Sequence, residues 1–365
     1  MKKYKIFAIN PGSTSTKVAM YENETEVFSA KAIHTASKYA ELNRFEHCKE
    51  TILETVTARG IDLKGVDAFA GRGGGMMPLE GGVYLVNDLM VEHCRNTTLK
   101  HPAVFGPGLV ADMAKTYGGK AFVVNPPDVD EMVDIARITG FRDIYRGSQF
   151  HALNQKEIAV RAAKEMGKQY SEVNFVIAHI GGGVSVTAHQ KGRAIDTSSN
   201  IMCDGPMTPT RAGTLPIIPF MELCFSGKYS REEMSDRLLI SGGFVDHLGT
   251  SDMLEIKEMI AQGNEYARLV YEAFIYQIAK SIGSFAVALR GEVDAILLTG
   301  GIVNDTNLVA RLKEMVGFIA PIRVYPGEFE MEALAHGALR VLRGEEAPKK
   351  YTGVPVFSGF NFCKD

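Results

Sequence analysis

The chain has 365 residues, 45% of them hydrophobic and 23% charged, with a formal net charge of −3. That is the composition of a soluble globular protein long enough for two ordinary hydrophobic cores, and it gives no bulk electrostatic basis for nucleic-acid binding. The five cysteines (Cys48, Cys94, Cys203, Cys224, Cys363) are scattered without CxxC spacing, which argues against a disulfide framework or a structural zinc and for a reducing compartment.

The opening MKKYKIFAIN reaches Asn10 and Pro11 after too few apolar residues for a signal-peptide core, and no apolar run approaches the roughly 18 residues that span a bilayer. The expectation is a cytoplasmic α/β protein with neither membrane nor nucleic-acid partners.

In chain order, KIFAI reads as a strand, NPGST as a turn and TKVAMYE as a second strand. A turn at Asn23–Glu24 leads to a third strand, VFSAKAI. FEHCKETILETVTARG has helical spacing and stops at Gly60. VDAFAGRGGG, from Val66, is an apolar strand running into glycines. HALNQKEIAVRAAKEMGKQ is a helix placed to join two halves. NFVIAHI, the turn Gly181–Gly183, VSVTAHQ, the turn Lys191–Gly192 and RAIDTSS then repeat the opening order of strands and turns.

The segment 265–289 is apolar on most faces and predicts a buried helix. VDAILLTGGI, from Val293, echoes the earlier strand with glycines. MEALAHGALRVLRG (331–344) predicts a last amphipathic helix, and the tail APKKYTGVPVFSGFNFCKD an extended packed segment. Two echoes in the same order predict a duplicated β–β–β–α–β unit with its boundary near residues 150 to 172.

Several stretches carry chemistry. In FAINPGSTSTK a phosphate loop of the Walker type would need a second glycine five residues after Gly12, where Lys17 stands, and then a helix. The residues that follow alternate as a strand, so this is a hairpin. Its turn amides and hydroxyls can cradle phosphate, and the same pattern suits a plain polar turn. HIGGGVSV (179–186) is the counterpart, with three glycines where packing would favour side chains. LLTGGIVND (297–305) ends a strand in glycines, where ligands collect in open α/β sheets.

Arg72 in AGRGGGMM and Arg211 in DGPMTPTRAGTLP are candidates for a guanidinium clamp on phosphate or carboxylate. His101 and His151 are lone histidines that also suit packing or capping. VVNPPDVDEM and PGEFEMEAL supply carboxylates after apolar strands, of the kind Mg²⁺ takes singly or in pairs beside substrate phosphates.

Together these motifs resemble the actin-like ATPase superfamily and, within it, the acetate kinase (acetokinase) family, most closely its butyrate kinase branch. INPGSTSTK, GRGGG, FHALNQK, HIGGGVSV, MTPTRAGTLP, GTSDM, LTGGIVND and PGEFEMEALAHGA all fall in the family's order, over nearly the whole chain. The resemblance implies an α/β fold of two duplicated actin-like (ribonuclease H-like) lobes. Each would have a central mixed sheet flanked by helices, with the nucleotide in the cleft between them. One lobe would hold residues 1–150 plus about 332–365, the other 151–331.

It also implies site residues. Asn10, Ser13 and Ser15 match the first phosphate hairpin, and His179 with Gly181, Gly182 and Gly183 the second. Arg72 and Arg211 match the arginines that hold the substrate carboxylate and the transferring phosphoryl group. Asp252 matches an acid near the ribose, Gly300 and Gly301 an adenosine-side turn, and Glu330 a carboxylate serving Mg²⁺, with Glu332 or Glu328 as alternatives. His101 approximates another active-site histidine.

Two positions depart from the family. Asn125 stands where an active-site Asp is usual; Asn brings no charge to a metal, so Asp128 or Asp130 compensates or the metal rests on Glu330 and water. In YRGSQFH, Arg146 takes the place of a histidine and His151 matches the later one.

The implied reaction is reversible, in-line phosphoryl transfer from ATP to a short carboxylate, giving ADP and an acyl phosphate. The carboxylate is itself the nucleophile, so no general base is required. Gly73 and Gly74 follow Arg72 where acetate kinases carry an aliphatic side chain. The missing side chain predicts room for butyrate or a branched four- to five-carbon acid, against the alternative of an acetate or propionate kinase. A non-catalytic actin-like nucleotide switch is the alternative of another class. The family further implies a homodimer or larger homo-oligomer.

Overall fold

The computed structural model describes residues 2–34, 44–199 and 201–360. In chain order the elements begin β1 (Lys5–Pro11), β2 (Ser15–Glu22), β3 (Thr25–Ile33), α1 (Arg44–Ala58), β4 (Ala68–Gly71), β5 (Val83–Leu85), α2 (Asp88–Asn96), α3 (Gly106–Tyr117) and β6 (Lys120–Val124). They continue as α4 (Asp134–Arg137), α5 (Ala152–Glu165), β7 (Asn174–Ile180), β8 (Val184–Gln190), β9 (Arg193–Thr197), α6 (Ile217–Phe225), α7 (Arg231–Leu239) and α8 (Phe244–Leu248). Last come α9 (Met253–Ala261), α10 (Glu265–Ala288), β10 (Ala295–Gly300), α11 (Thr306–Val316), β11 (Ile322–Pro326), α12 (Glu330–Arg343) and β12 (Lys349–Lys350).

Two compact units form: unit 1 is the chain up to Asp130 plus Phe329–Phe360, and unit 2 is Glu131–Glu328. Residues 131–150, expected with the first lobe, therefore lie in unit 2. Hydrogen bonds hold them there: Val133 N donates to Ile195 O at 2.9 Å, and the Glu131 carboxylate accepts from Ala194 N and from Lys156 Nζ, both at 2.7 Å. The end of the tail, 361–365, lies outside the described residues.

Unit 1 is built on a sheet of order β12-β5-β6-β4-β1-β2-β3, and unit 2 on one of order β11-β10-β7-β8-β9. The core of the first, β3-β2-β1-β4-β6, has the same plan as the second, β9-β8-β7-β10-β11. In each, three strands run antiparallel through two hairpins, and parallel strands are added beside the first of them. The duplicated β–β–β–α–β plan is thus present.

Alternation along β1 explains how its sheet is filled. Phe7 and Ile9 join the cluster of Ile52 and Val56 on α1 with Leu109 and Val110 on α3, and α12 packs against β1, β4 and β6. In unit 2, Val176 and Ala178 of β7 meet Phe274, Ile278 and Ile282 of α10 and Leu308 and Leu312 of α11. Helix α10 is less buried than its apolar sequence predicts: Leu269, Tyr276 and Val287 are more than half exposed on its outer side. Among the described residues no helix is long and apolar enough to cross a membrane.

Candidate active site

The unit 1 group gathers at the ends of parallel strands. Asn10 closes β1, and Arg72 follows β4, its amide bonded to Ile9 O at 3.1 Å. Glu330 opens α12 and meets both: Oε1 accepts from Arg72 Nη1 at 2.9 Å and Oε2 from Asn10 Nδ2 at 2.5 Å. A charge-assisted bond of this kind fixes a guanidinium more firmly than a neutral partner does. Gly106 stands where a Cβ would collide with Arg72 O, so the turn before α3 packs flush against this backbone.

His101 caps that turn, with Ala103 N donating to its Nδ1 at 3.1 Å. Burial and then the positive charge of Arg72 lower its pKa, with Glu330 opposing. A neutral ring whose Nδ1 accepts a backbone amide carries its proton on Nε2. In the hairpin itself, Gly12 N donates to Ser15 O at 3.0 Å, Ser13 is exposed and Ser15 half-buried. Lys17 pairs in register with Asn10 as an ordinary strand residue.

The unit 2 group surrounds the second hairpin. Gly181 N donates to Gly183 O at 3.0 Å. A methyl built on Gly183 would fall 2.9 Å from Arg211 Nη1 and 3.2 Å from His151 Nε2, while one on Gly182 would meet nothing within 4 Å. Two nitrogen-bearing side chains therefore converge on a turn whose tip is open. The rings of His151 and His179 stack with centroids 3.8 Å apart. His179 Nδ1 bonds Asn154 Oδ1 at 3.0 Å, and Asn154 Nδ2 donates to Glu328 O at 2.6 Å.

Ser185 Oγ accepts from Gln155 Nε2 at 2.9 Å and from His151 N at 3.3 Å. Its own proton is left for His151 Nδ1, 2.7 Å away, which places the ring proton of a neutral His151 on Nε2 toward Gly183. Burial is the main pressure lowering the pKa of Arg211, with the Cys203 thiol opposing. Its loop is closed by Thr208 N donating to Arg211 O at 3.0 Å. Asn154, Gln155 and Ser185 carried no role in the sequence reading; the spacing of His151, Asn154 and Gln155 on one helical face was the available signal.

Other expected residues do different work. Arg146 spends its guanidinium internally: Nε donates to Asp204 at 3.1 Å, Nη1 to Ala136 O and Asp196 at 2.9 and 2.8 Å, and Nη2 to Thr197 O at 2.7 Å. Asn125, at φ +37°, is tied to Gly82, accepting its amide on Oδ1 at 2.7 Å and donating its own amide to Gly82 O at 3.0 Å. A neutral side chain suits that buried turn.

Asp252 caps α9, with Oδ1 accepting Leu254 N at 2.8 Å. Gly300, at φ +98°, admits no Cβ beside Ile180 O, whereas Gly301 borders open space. Gly73 and Gly74 leave no extra acyl space. A Cβ on Gly73 would lie 2.5 Å from Met76 Cε and 2.8 Å from Val123 Cγ1, and one on Gly74 would lie 3.2 Å from Ala103 Cβ. The space of the missing side chains is already filled.

Among the described residues no three acidic, histidine or cysteine side chains cluster as a metal cage. A single carboxylate suffices for Mg²⁺ that also takes substrate phosphates and water, and Glu330 fits, keeping lone pairs beyond the two it uses. Of its alternatives, Glu332 acts electrostatically on Tyr21, and Glu328 lies in unit 2 with its carbonyl bonded to Asn154. Asp128, offered as compensation for Asn125, accepts the Gly75 amide instead.

Residues 142–320 match the acetokinase family. The fold is shared with an acetate kinase from Porphyromonas gingivalis, at TM-score 0.78 and 19% identity over 93% of this chain and 100% of that one. It is shared too with a propionate kinase from Francisella tularensis subsp. tularensis SCHU S4 (TM-score 0.71, 19% identity, 92% and 98% covered). An acetate kinase from Entamoeba histolytica matches at TM-score 0.72 and 18% identity, with 91% and 98% covered.

Proposed function

We propose that this chain, which carries acetokinase-family sequence over residues 142–320, is an ATP-dependent kinase of short-chain carboxylates. The observation that carries the reading is the convergence of Arg211 and His151 on the Gly183 hairpin, a cationic cradle with an open glycine tip. Arg72 in unit 1, oriented by Glu330, supplies a second cation.

On this reading a carboxylate oxygen of the substrate forms a bond to the γ-phosphorus of ATP as the bond to the β,γ-bridging oxygen breaks. ADP departs with that electron pair, and the product is an acyl phosphate. No proton moves, so the site needs no base, only positioning and charge. Arg72 and Arg211 carry the charge of the carboxylate and the transferring phosphoryl group. His101 and His151 offer Nε2–H donors, and Asn10, Ser13, Ser15, His179 and the Gly181–Gly183 amides hold phosphate oxygens. Asp252, Gly300 and Gly301 serve the nucleoside. Mg²⁺, held through Glu330, would neutralise phosphate charge when bound. Arg146 and Asn125 act by bracing the loops that carry these groups.

For chain length, the finer proposal is butyrate or a branched four- to five-carbon acid. It rests on the order and wording of the motifs, since the glycines after Arg72 leave no extra room. The names of the structural neighbours favour acetate or propionate as the second reading. A second copy of the chain is proposed as the partner. Helix α6, IIPFMELCF, buries none of its residues, and Ile217, Ile218 and Phe225 are 72%, 65% and 85% exposed.

A hydroxamate trap for acyl phosphate, run with ATP and acetate, propionate, butyrate or isobutyrate in turn, tests all of this. Trapped product with any acid supports the kinase, and the ranking of kcat/KM decides the chain length. ATP hydrolysis without trapped product from any of the four would overturn the reading.

A further inference from the structure

Asp128 is a charged group of unit 1 that the proposed reaction does not use. It follows β6, and its Oδ1 accepts the amide of Gly75 at 3.1 Å. The backbone beside it fastens the same loop: Leu79 N donates to Asp128 O at 3.1 Å and Asp130 N to Leu79 O at 2.8 Å. The stretch leaving Arg72 is thus tied to residues 128–130 at both ends, and at the glycine end the tie is the Asp128 side chain.

Gly75 cannot supply its own anchor. It sits at φ +78°, and a side chain there would run into Thr97 at 2.7 Å. The other oxygen, Oδ2, is buried without a hydrogen-bond partner. A carboxylate half-satisfied in this way costs stability, and its retention beside the candidate site calls for a reason.

We propose that Asp128 is a positioning residue: its carboxyl anchors Gly75 and, through the Gly73–Gly75 loop, sets the approach of Arg72. The assignment of Arg72 to the reaction is taken from the proposed function. The groups that face Asp128 are the Cys94 thiol on α2 and the Tyr351 phenol of the C-terminal segment. The Tyr351 hydroxyl accepts the Met77 amide at 3.0 Å and meets His93 Nδ1 at 2.8 Å.

Burial pushes Asp128 up to about 6, against the pull of the amides of Gly75, Asp128 itself and Met76. Burial and the Asp128 charge push the Cys94 thiol up to about 12.

The test compares wild type, Asp128→Asn and Asp128→Ala in two measurements. One is amide hydrogen exchange of a peptide covering Arg72–Leu79 at pH 7.5. The other is kcat and KM with the best carboxylate. Asn keeps an acceptor for Gly75; Ala removes it. Asn should hold wild-type protection and kcat/KM.

Ala should exchange about tenfold faster, the scale of one lost hydrogen bond to a charged group, and lose kcat/KM with kcat less affected. Unchanged protection in the Ala variant, or kcat/KM falling in Asn as far as in Ala, overturns the proposal. A protein inactive on every carboxylate refutes the kinase reading, and the exchange measurement still decides whether Asp128 anchors the loop.

Discussion

Gly73→Ala separates two meanings of the glycines after Arg72. Gly73 has an ordinary backbone conformation, so alanine meets no φ penalty there. The added methyl would lie 2.5 Å from Met76 Cε and 2.8 Å from Val123 Cγ1. Met76 presents the free end of a flexible side chain and can withdraw. Val123 is fully buried on β6, between β4 and β5, and cannot. Overpacking of this size costs about 1–3 kcal/mol, and the lower entropy of the unfolded alanine chain returns about 0.4–1 kcal/mol. The net expectation is a loss of about 1–2 kcal/mol. At about 2–4 °C per kcal/mol for a unit of this size, Tm falls by about 2–8 °C, read by thermal unfolding. The ranking of carboxylates by kcat/KM stays as in wild type. An alanine variant that keeps its Tm and shifts about tenfold toward acetate would refute the packing argument and restore an open pocket at this position.

Arg211→Ala is expected to lower kcat at least about 100-fold, the scale of a lost transition-state donor, with unfolding unchanged; near-wild-type turnover contradicts its role. Arg146→Ala strands Asp196 and Asp204, whose side chains are 18% and 26% exposed. After allowance for that exposure it should cost about 2–4 kcal/mol in urea unfolding, and a variant that melts like wild type but has lost activity would place Arg146 in the reaction instead. Asp128 titrates near 6 in the folded chain against 3.8 for the free side chain, so between those values the native state keeps a proton that the unfolded state has released. Its contribution to stability therefore falls as pH rises through that window, and Asp128→Asn should gain on wild type by up to roughly 3 kcal/mol between pH 4 and 7, a gain that a pH-independent difference in urea melts would exclude. Phe225→Glu combined with Ile218→Glu should convert a dimer to a monomer in size-exclusion light scattering, and an unchanged mass places any interface elsewhere.

Much of this protein could be read from its residues in order. Strand alternation, hairpin glycines and the two echoes are local patterns. They yielded the duplicated sheets, the hairpins at Gly12 and Gly183, and the place of Arg72 at a strand end, because hydrogen bonding and side-chain alternation act between near neighbours. The division between units was less legible. Glu131 and Val133 are held in unit 2 by Lys156, Ala194 and Ile195, partners that no local pattern announces.

What tertiary structure alone decided is the partner of each charge and the use of each empty space. Arg146 read as an active-site cation, but its carboxylates lie 50 and 58 positions away. Glu330 was one of three acids until the start of α12 set it against Arg72 and Asn10, 258 and 320 positions distant. Gly73 is written the same way whether it leaves a void or yields to Met76 and Val123. A sequence records which side chain is missing; only packing between distant segments determines what fills its place.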